Sequence, residues 1–182
     1  MAKAAERNEV GSSIGEVTSL IGHESPLGPM TLAERGGALV GSWFDGQAHD
    51  RANVGACREA VGGEVPVLDG AVAWLGRYFA GVDPGPLPPV APYGTTFQQA
   101  VWCELVGIPR GRTTTYGAIA DRLGVARGRR ASARAVGAAV GRNPLLVFVP
   151  CHRVVGSDGS LVGYAAGLGR KEALLVLEGV CR

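Results

Sequence analysis

The strongest constraint on folding is a proline-rich stretch near the middle of the chain. Between Gly81 and Gly94 it holds five of the 11 prolines: Pro84, Pro86, Pro88, Pro89 and Pro92. Proline fixes φ and lacks a backbone donor, so this stretch can be neither a helix nor a central strand. It predicts a semi-rigid linker over residues 83–94, between a first domain at residues 1–82 and a second at residues 95–182.

The two halves differ in charge. Residues 1–96 carry 6 basic and 11 acidic residues, a net charge of −5, whereas residues 97–182 carry 12 basic and 5 acidic residues, a net charge of +7. A basic half on an acidic half indicates that the second half faces a polyanion. The alternative is that these arginines are only solvated surface residues.

The first half has the pattern of a small α/β domain. Gly28-Pro29 and Gly36-Gly37 bracket one short apolar segment, and Leu39–Phe44 forms another, which predicts antiparallel strands joined by a tight turn. Helical spacing predicts a helix over Gly70–Phe79. Residues 1–13 are polar and lack the apolar segment of a signal peptide, so we expect them to be disordered. Because no apolar run approaches the roughly 20 residues that span a bilayer, we expect a cytoplasmic protein that does not bind membranes.

The second half has helical periodicity. One apolar stripe comprises Phe97, Val101, Trp102 and Leu105; a second comprises Tyr116, Ile119, Ala120 and Leu123. Thr115 is the expected N-cap of the second helix and Gly124 its expected end. A third helix is predicted from about Ala131 to Val140, after a loop containing Arg127, Arg129 and Arg130. Two short helices joined by such a loop predict a helix-turn-helix, so this domain should be mostly α-helical.

The third helix combines small side chains with one long cation. Its predicted packed face comprises Ala133, Val136, Gly137 and Val140, and its predicted exposed positions are Ser132, Ala135, Ala138 and Ala139. Arg134 projects from the exposed face. A smooth helix of this kind can enter a nucleic-acid groove while contacting few base edges, which favours sequence-independent binding. The alternative is a core helix packed through small residues.

A cysteine lies beside a histidine in the segment Pro150-Cys151-His152-Arg153-Val154. The preceding apolar run, Leu145–Val149, predicts a buried strand whose end presents a thiol. A thiol is a strong nucleophile only as its thiolate, which requires a base or positive charge nearby. Adjacent strand residues point to opposite faces, so Cys151 and His152 need not touch, and a buried structural cysteine remains the alternative.

The other cysteines, Cys57, Cys103 and Cys181, are scattered and predict free thiols. There is no C-x-x-C motif, and the histidines complete no zinc pattern. A site built from Cys57, His49 and His23 is the alternative. We expect neither a metal nor a cofactor.

These motifs, taken in order, resemble the O6-alkylguanine-DNA alkyltransferase family, also called methylated-DNA–protein-cysteine methyltransferases. The resemblance extends over roughly residues 25 to 180. The residues that carry it, besides the Pro150–Val154 segment, are Ser25-Pro26-Leu27-Gly28, Tyr78-Phe79-Ala80-Gly81, Phe97-Gln98, Val101-Trp102, Ile108-Pro109, Gly111, Thr115-Tyr116-Gly117, Arg134-Ala135-Val136-Gly137, Asn143-Pro144, Gly163-Tyr164, Gly167-Leu168, Lys171-Glu172 and Glu178-Gly179.

The resemblance implies a single-use DNA repair reaction. Cys151 would displace an alkyl group, typically methyl, from O6 of guanine in duplex DNA and keep it as a thioether. His152 would reach the thiol through a water and be oriented by Glu178. Tyr116 would donate to the departing base, and Asn143 would tie the recognition helix to the active-site segment.

The resemblance also implies how DNA and the base are held. The target base would be flipped out through the minor groove, and Arg134 would fill its place in the stack. Contacts to double-stranded DNA, largely independent of sequence, would come from Ala135, Tyr116, Ser132 and Arg130, with the protein a monomer in solution. The pocket would be lined by Val140, Val154, Tyr164, Ala165 and Ala166. The carbonyls of Cys151 and Val154 and the amide of Ala165 would hold the guanine edge.

The sequence departs from the family pattern at two places, and two alternative functions stay open. The Gly124–Arg134 segment is longer than expected and contains three extra arginines, and Ala166 stands where the family often has glycine. A non-catalytic alkylated-DNA-binding or regulatory protein is one alternative, although the presence of Cys151 argues against it. A Cys-His hydrolase is the other, but it lacks a recognisable oxyanion hole and would leave the helix-turn-helix unexplained.

Overall fold

A computed structural model describes residues 17–52, 54–127 and 131–180. The first half contains strands β1 (Thr18–Ser25), β2 (Gly28–Arg35), β3 (Ala38–Phe44) and β4 (Cys57–Glu59), followed by helix α1 (Pro66–Phe79). The second half contains α2 (Thr96–Val106), β5 (Thr114–Thr115), α3 (Tyr116–Arg127), α4 (Ala133–Gly141), a 3-10 turn (Cys151–Arg153), β6 (Val154–Val155) and α5 (Leu168–Leu177). The expected α/β first half and mostly helical second half are both confirmed.

The sheet has the strand order β3-β2-β1-β4. The β1–β2 and β2–β3 pairs are antiparallel, as expected, but β4 pairs with β1 in parallel, so the sheet is mixed. Gly36 and Gly37 have φ of 62° and 83° and form the tight turn between β2 and β3. Two successive left-handed residues suit the twist of a hairpin, and glycine adopts them without strain.

Proline and capping residues mark the positions at which α1, α2 and α3 begin. Pro66 occupies the first turn of α1, where no backbone donor is needed. Thr95 and Gln98 form a capping box at the start of α2. The Thr115 hydroxyl accepts a hydrogen bond from the Ala118 amide at 3.1 Å, which confirms Thr115 as the cap of α3. The expected end at Gly124 is wrong, because that glycine does not adopt a left-handed φ and the helix continues to Arg127.

Helix α4 is shorter than predicted and presents a slightly different face to the core. It begins at Ala133 rather than Ala131, because the Ser132 hydroxyl accepts from the Ala135 amide at 3.1 Å. Ala133 is exposed and Ala139 is buried, so both were assigned to the wrong face. Val136 and Val140 are buried, whereas Arg134, Ala135 and Ala138 are exposed, as expected.

The segment Leu145–Val149 is buried but is not a strand. Its backbone forms a hydrogen bond within the run, from the Val149 amide to the Leu145 carbonyl at 2.8 Å, and it also forms backbone hydrogen bonds with β3. There the Ser42 amide donates to Pro144 and the Leu146 amide donates to Ser42, at 2.8 and 3.0 Å. A short apolar run shows burial but not backbone conformation, which is why the strand prediction failed.

One hydrophobic cluster joins the two halves. It contains Met30, Leu32 and Phe44 from the sheet, Leu68 and Leu75 from α1, and buried residues of the second half, among them Val101, Trp102, Ile119, Val136, Leu145 and Leu174. The proline-rich stretch packs on β3, where the Leu39 amide donates to Pro89 and the Ala91 amide donates to Leu39, both at 2.8 Å. Within the described ranges, none of the helices has the length and apolarity needed to cross a bilayer. The domain limits stay a prediction.

Candidate active site

The turn that replaces the predicted strand places Cys151. The Asn143 side-chain oxygen accepts from the Leu145 amide at 3.0 Å, while its Nδ2 donates to the Val149 carbonyl at 2.8 Å. The same Nδ2 lies 3.1 Å from Cys151 Sγ. The buried side-chain amide of Asn143 therefore bonds to both ends of the Leu145–Val149 turn and also holds the Cys151 sulfur, which follows the turn.

Cys151 is a buried thiol in the resting protein. Only 3% of the residue is exposed. Burial raises the pKa of the thiol to about 11, although the Asn143 donor and the Lys171 charge oppose that shift. Desolvation disfavours the thiolate, so the thiol is protonated near neutral pH and needs a base before it can attack.

His152 is buried beside Glu178. Its Nε2 lies 2.9 Å from Glu178 Oε1, and its Nδ1 has no hydrogen-bond partner among the described residues. Burial lowers the pKa of His152 despite the neighbouring carboxylate. The imidazole is therefore neutral, with the proton held on Nε2 by Glu178 and a lone pair free on Nδ1. No hydrogen bond joins the Cys151 and His152 side chains within the described structure.

Glu178 is held by three side chains. Arg153 Nε donates to Oε2 and Arg153 Nη2 donates to Oε1, each at 2.8 Å, and the Tyr78 hydroxyl donates to Oε1 at 2.7 Å. Burial opposes ionisation, but hydrogen bonds from His152, Arg153 and Tyr78 outweigh it and hold the pKa of Glu178 well below its usual range. The carboxylate is therefore ionised near neutral pH. Sequence reasoning assigned no role to Arg153 or Tyr78, although both lie within recognisable motifs.

Tyr116 forms one wall of the site. The parallel pairing of β5 with β6 sets Thr115 beside Val155, which brings the start of α3 next to the turn that holds Cys151. The ring lies against Gly137, where an added Cβ would sit 3.7 Å from it. Its hydroxyl donates to the Val162 carbonyl at 3.0 Å. Burial, and then the neighbouring Cys151, raise the pKa of Tyr116, so it is a hydrogen-bond donor.

A buried lysine fixes the loop opposite Tyr116. Lys171, fully buried in α5, donates from Nζ to the carbonyls of Val154, Val162 and Gly163 at 2.6, 2.7 and 3.3 Å. An ammonium group is buried only where such acceptors surround it. In the sequence, Lys171 is recognisable only as part of a family motif. Nothing in its helical pattern predicts that its ammonium group is buried and binds loop carbonyls.

The first half of the chain contacts the segment Tyr164–Ala166, which is predicted to line the rest of the pocket. The Ala48 amide donates to the Ala165 carbonyl at 3.1 Å, and Arg170 donates to the carbonyls of Ala166 and Leu27 at 3.2 and 2.9 Å. The Tyr164 hydroxyl is buried without a partner in the described structure. Ala166 is buried with an ordinary φ, and it is Gly167 that adopts the left-handed value of 88°. An alanine therefore fits position 166 without backbone strain.

The predicted site residues fall into three groups. Cys151, His152, Asn143, Glu178 and Tyr116 come together around the 3-10 turn, and the predicted pocket residues Val140 and Val154 are buried beside them in the same core. Ser132, Arg134 and Ala135 lie exposed at the start of α4. Arg130, predicted to contact DNA, lies outside the described residues. Across the described ranges, no three His, Cys, Asp or Glu side chains are placed to hold a metal.

Comparison with known sequences finds relatives over most of the chain. The profile of the family described as 6-O-methylguanine DNA methyltransferase, DNA binding domain, matches residues 96–180. A methylated-DNA–protein-cysteine methyltransferase of Mycobacterium bovis is 42% identical over 155 residues, which covers 85% of this chain and 88% of that protein. One from Methanosarcina acetivorans is 50% identical over 107 residues, covering 59% of this chain and 66% of that protein.

Comparison with solved structures finds the same fold. The crystal structure of Mycobacterium tuberculosis OGT in complex with DNA superposes with a TM-score of 0.75 at 42% identity, covering 88% of this chain and 91% of that one. An O6-methylguanine DNA methyltransferase from Methanococcus jannaschii superposes with a TM-score of 0.59 at 29% identity, covering 90% of this chain and 94% of that one.

Proposed function

This chain belongs to the methylated-DNA–protein-cysteine methyltransferase family, and from that membership we propose that Cys151 is the cysteine that receives the alkyl group. The protein is thus a DNA-binding repair protein that transfers alkyl groups from DNA to itself. The observation that carries the assignment is the position of Cys151, held by Asn143 and followed directly by a neutral His152 bonded to Glu178.

The chemistry is a displacement at the alkyl carbon on guanine O6. The Cys151 proton passes through a water to His152 Nδ1, and the sulfur attacks the alkyl carbon. A carbon–sulfur bond forms while the carbon–O6 bond breaks, and its electron pair stays on the guanine, which takes up a proton. The thioether does not revert, so each molecule reacts once. The free lone pair of His152 and the raised pKa of Cys151 both support a base acting at this position.

Tyr116 supports the departing base. Its hydroxyl now donates to Val162, so it can turn to the guanine when the base enters between α4 and the Val162–Gly163 loop. The carbonyls of Cys151 and Val154 and the amide of Ala165 would hold the guanine edge. Lys171 already binds the Val154 carbonyl, which keeps that acceptor in place.

The substrate is O6-alkylguanine in duplex DNA, bound through the minor groove largely without regard to sequence. The support is α4, whose exposed face carries Arg134 among small residues. Because Cys151 is almost entirely buried, a base inside a duplex cannot reach it, and the nucleotide must be extruded at a cost of a few kcal/mol. Arg134 at the start of α4 would fill the vacated place in the stack, and the protein would act as a monomer.

The test is to count alkyl groups per chain. We expect one methyl group per molecule after reaction with excess methylated duplex DNA, located on Cys151 by peptide mass mapping. Cys151→Ser should bind the same DNA and accept nothing, because a hydroxyl ionises far less readily than a thiol. Modification of Cys57 or Cys103, both exposed, would contradict the assignment.

The same experiment separates the alternatives. A non-catalytic alkylated-DNA-binding or regulatory protein would bind the duplex and take up no methyl group. A Cys-His hydrolase would turn over repeatedly and leave Cys151 unmodified. The hydrogen bond from Asn143 to the Cys151 sulfur favours alkyl transfer over the non-catalytic alternative, because a cysteine that only packs in the core needs no polar partner.

A further inference from the structure

Helix α1, in the first half of the chain, places the Tyr78 hydroxyl against His152 and Glu178, the pair proposed to activate Cys151. Tyr78 is 1% exposed, and its hydroxyl lies 2.7 Å from Glu178 Oε1 and 3.5 Å from His152 Nε2. The ring stacks on Trp74 at 5.4 Å between centroids and meets Phe79 edge-on at 5.3 Å. The Arg110 guanidinium lies 5.4 Å from the ring centroid. The ring is thus fixed by packing, independently of its hydrogen bond.

The hydroxyl competes with His152 for one oxygen. Oε1 of Glu178 accepts from Tyr78, His152 and Arg153, whereas Oε2, among the described residues, accepts from Arg153 alone. A donor to a carboxylate lowers its basicity, so each one weakens the pull of Glu178 on the His152 proton. Burial and the Glu178 charge raise the pKa of Tyr78 far above its usual range, so the hydroxyl remains a donor.

We propose that Tyr78 is a positioning residue of the alkyl-transfer site, which orients Glu178 and lowers the basicity of His152. The proposal rests on the assignment of His152 as the base for Cys151. It makes the first half of the chain part of the active site, because the hydroxyl comes from α1 while the pair comes from the 3-10 turn and the end of α5.

The direction of the pH effect follows from the groups around His152. Glu178 and Tyr78 face Nε2, Arg153 completes the ion pair, and Lys171 and Cys151 lie nearby. Removing the Tyr78 donor leaves Glu178 more basic and stabilises the protonated imidazole, so the pKa of His152 should rise. The base is active only when neutral, and the acid limb of the rate profile should therefore move to higher pH.

The experiment compares two changes at one position. Tyr78→Phe keeps the ring and removes the donor, so we expect transfer to Cys151 to slow by up to about tenfold at its plateau, with the acid limb shifted to higher pH. Replacing Tyr78 by 3-fluorotyrosine makes the donor stronger and should shift the limb to lower pH. Rates are measured from pH 5 to 9, as roughly that range brackets histidine titration, with both methylated duplex DNA and free O6-benzylguanine.

Controls separate this role from stability and from the function itself. Tyr93→Phe makes the same deletion at an exposed tyrosine outside the site and should change neither rate nor profile. If both changes at Tyr78 leave the acid limb in place, Tyr78 only packs and the proposal fails. The fluorinated protein retains the hydrogen bond, so it gives an answer even if Tyr78→Phe does not fold. Mass mapping of Cys151 in the unaltered protein tests the underlying function separately.

Discussion

At the scale of single residues, the site is a set of buried polar groups that satisfy one another. Asn143 pairs with Cys151 and the turn backbone, and Glu178 pairs with His152, Arg153 and Tyr78. Removing one partner of such a buried group costs more than the hydrogen bond contributes, because the remaining partner stays desolvated. The site therefore contributes to folding as well as to reactivity.

Glu178→Gln should lower the free energy of unfolding by about 3 kcal/mol at pH 7, because it leaves Arg153 without its carboxylate. The pKa of Glu178 is depressed in the folded state, so its contribution is complete above the usual value of 4.5 and is lost as pH falls through the folded value. The measurement is urea unfolding of both proteins at pH 7 and at lower pH.

The matched control is Glu172→Gln, an exposed position on the same helix, which should change stability by less than about 0.5 kcal/mol. Equal losses at the two positions would show that Glu178 contributes no more than an ordinary surface charge. Alkyl transfer should also fall in Glu178→Gln, because the amide does not hold the Nε2 proton as a carboxylate does.

Ala166→Gly should speed the reaction with O6-benzylguanine and leave repair of O6-methylguanine nearly unchanged. Ala166 is buried in the segment that follows Tyr164, and its methyl group takes up space that a glycine would leave open. A methyl substituent is small enough to avoid it, whereas a benzyl group is not. The measurement is the second-order rate constant of each protein on each substrate. A uniform change on both substrates would mean that Ala166 does not limit pocket size.

At the scale of elements, the limits of sequence reasoning follow from how each element is stabilised. The hairpin at Gly36-Gly37 and the cap at Thr115 are local, so the sequence shows them. The Leu145–Val149 segment takes its shape from the Asn143 side chain and from β3, contacts that no periodicity reveals. The proposed catalytic residues lie in recognisable motifs, but Tyr78 reaches Glu178 across 100 positions of sequence, and only the fold shows that contact.

Helix α4 is the element expected to act in base extrusion. Arg134→Ala should slow reaction with methylated duplex DNA more than reaction with free O6-benzylguanine, because only the duplex requires a base to leave the stack. Arg142→Ala removes an exposed arginine from the other end of the same helix and should affect the duplex reaction less. Rates for the three proteins on both substrates provide the comparison. A decrease of the same size on both substrates would place Arg134 in the pocket or the fold.

At the scale of the whole molecule, the halves share one core but differ in charge. The sheet and α1 pack into the same hydrophobic cluster as α2, α3 and α4, so the proline-rich stretch separates them in sequence while the core keeps them together. The Ala48 amide, in the loop after β3, also donates to the Ala165 carbonyl, which ties the first half to the segment predicted to line the pocket. The net charge of +7 lies on residues 97–182, the half that carries α4. The acidic half therefore supports the site by packing, while the basic half carries both the site and the positive charge.

The arginines at the end of α3 and between α3 and α4 should contribute to the electrostatic attraction between the protein and DNA. Replacing Arg127, Arg129 and Arg130 with alanine should flatten the plot of log affinity against log salt concentration by about 0.9 for each phosphate that the variant no longer neutralises. The measurement is binding to unmodified duplex DNA over a series of salt concentrations, which isolates the electrostatic part from base recognition. Replacing Arg51 and Arg58, exposed in the acidic half, provides the control and should leave the slope unchanged. If the triple variant keeps the slope of the unaltered protein, these arginines do not reach the phosphates, and the positive charge that attracts DNA lies on α4 and its surroundings.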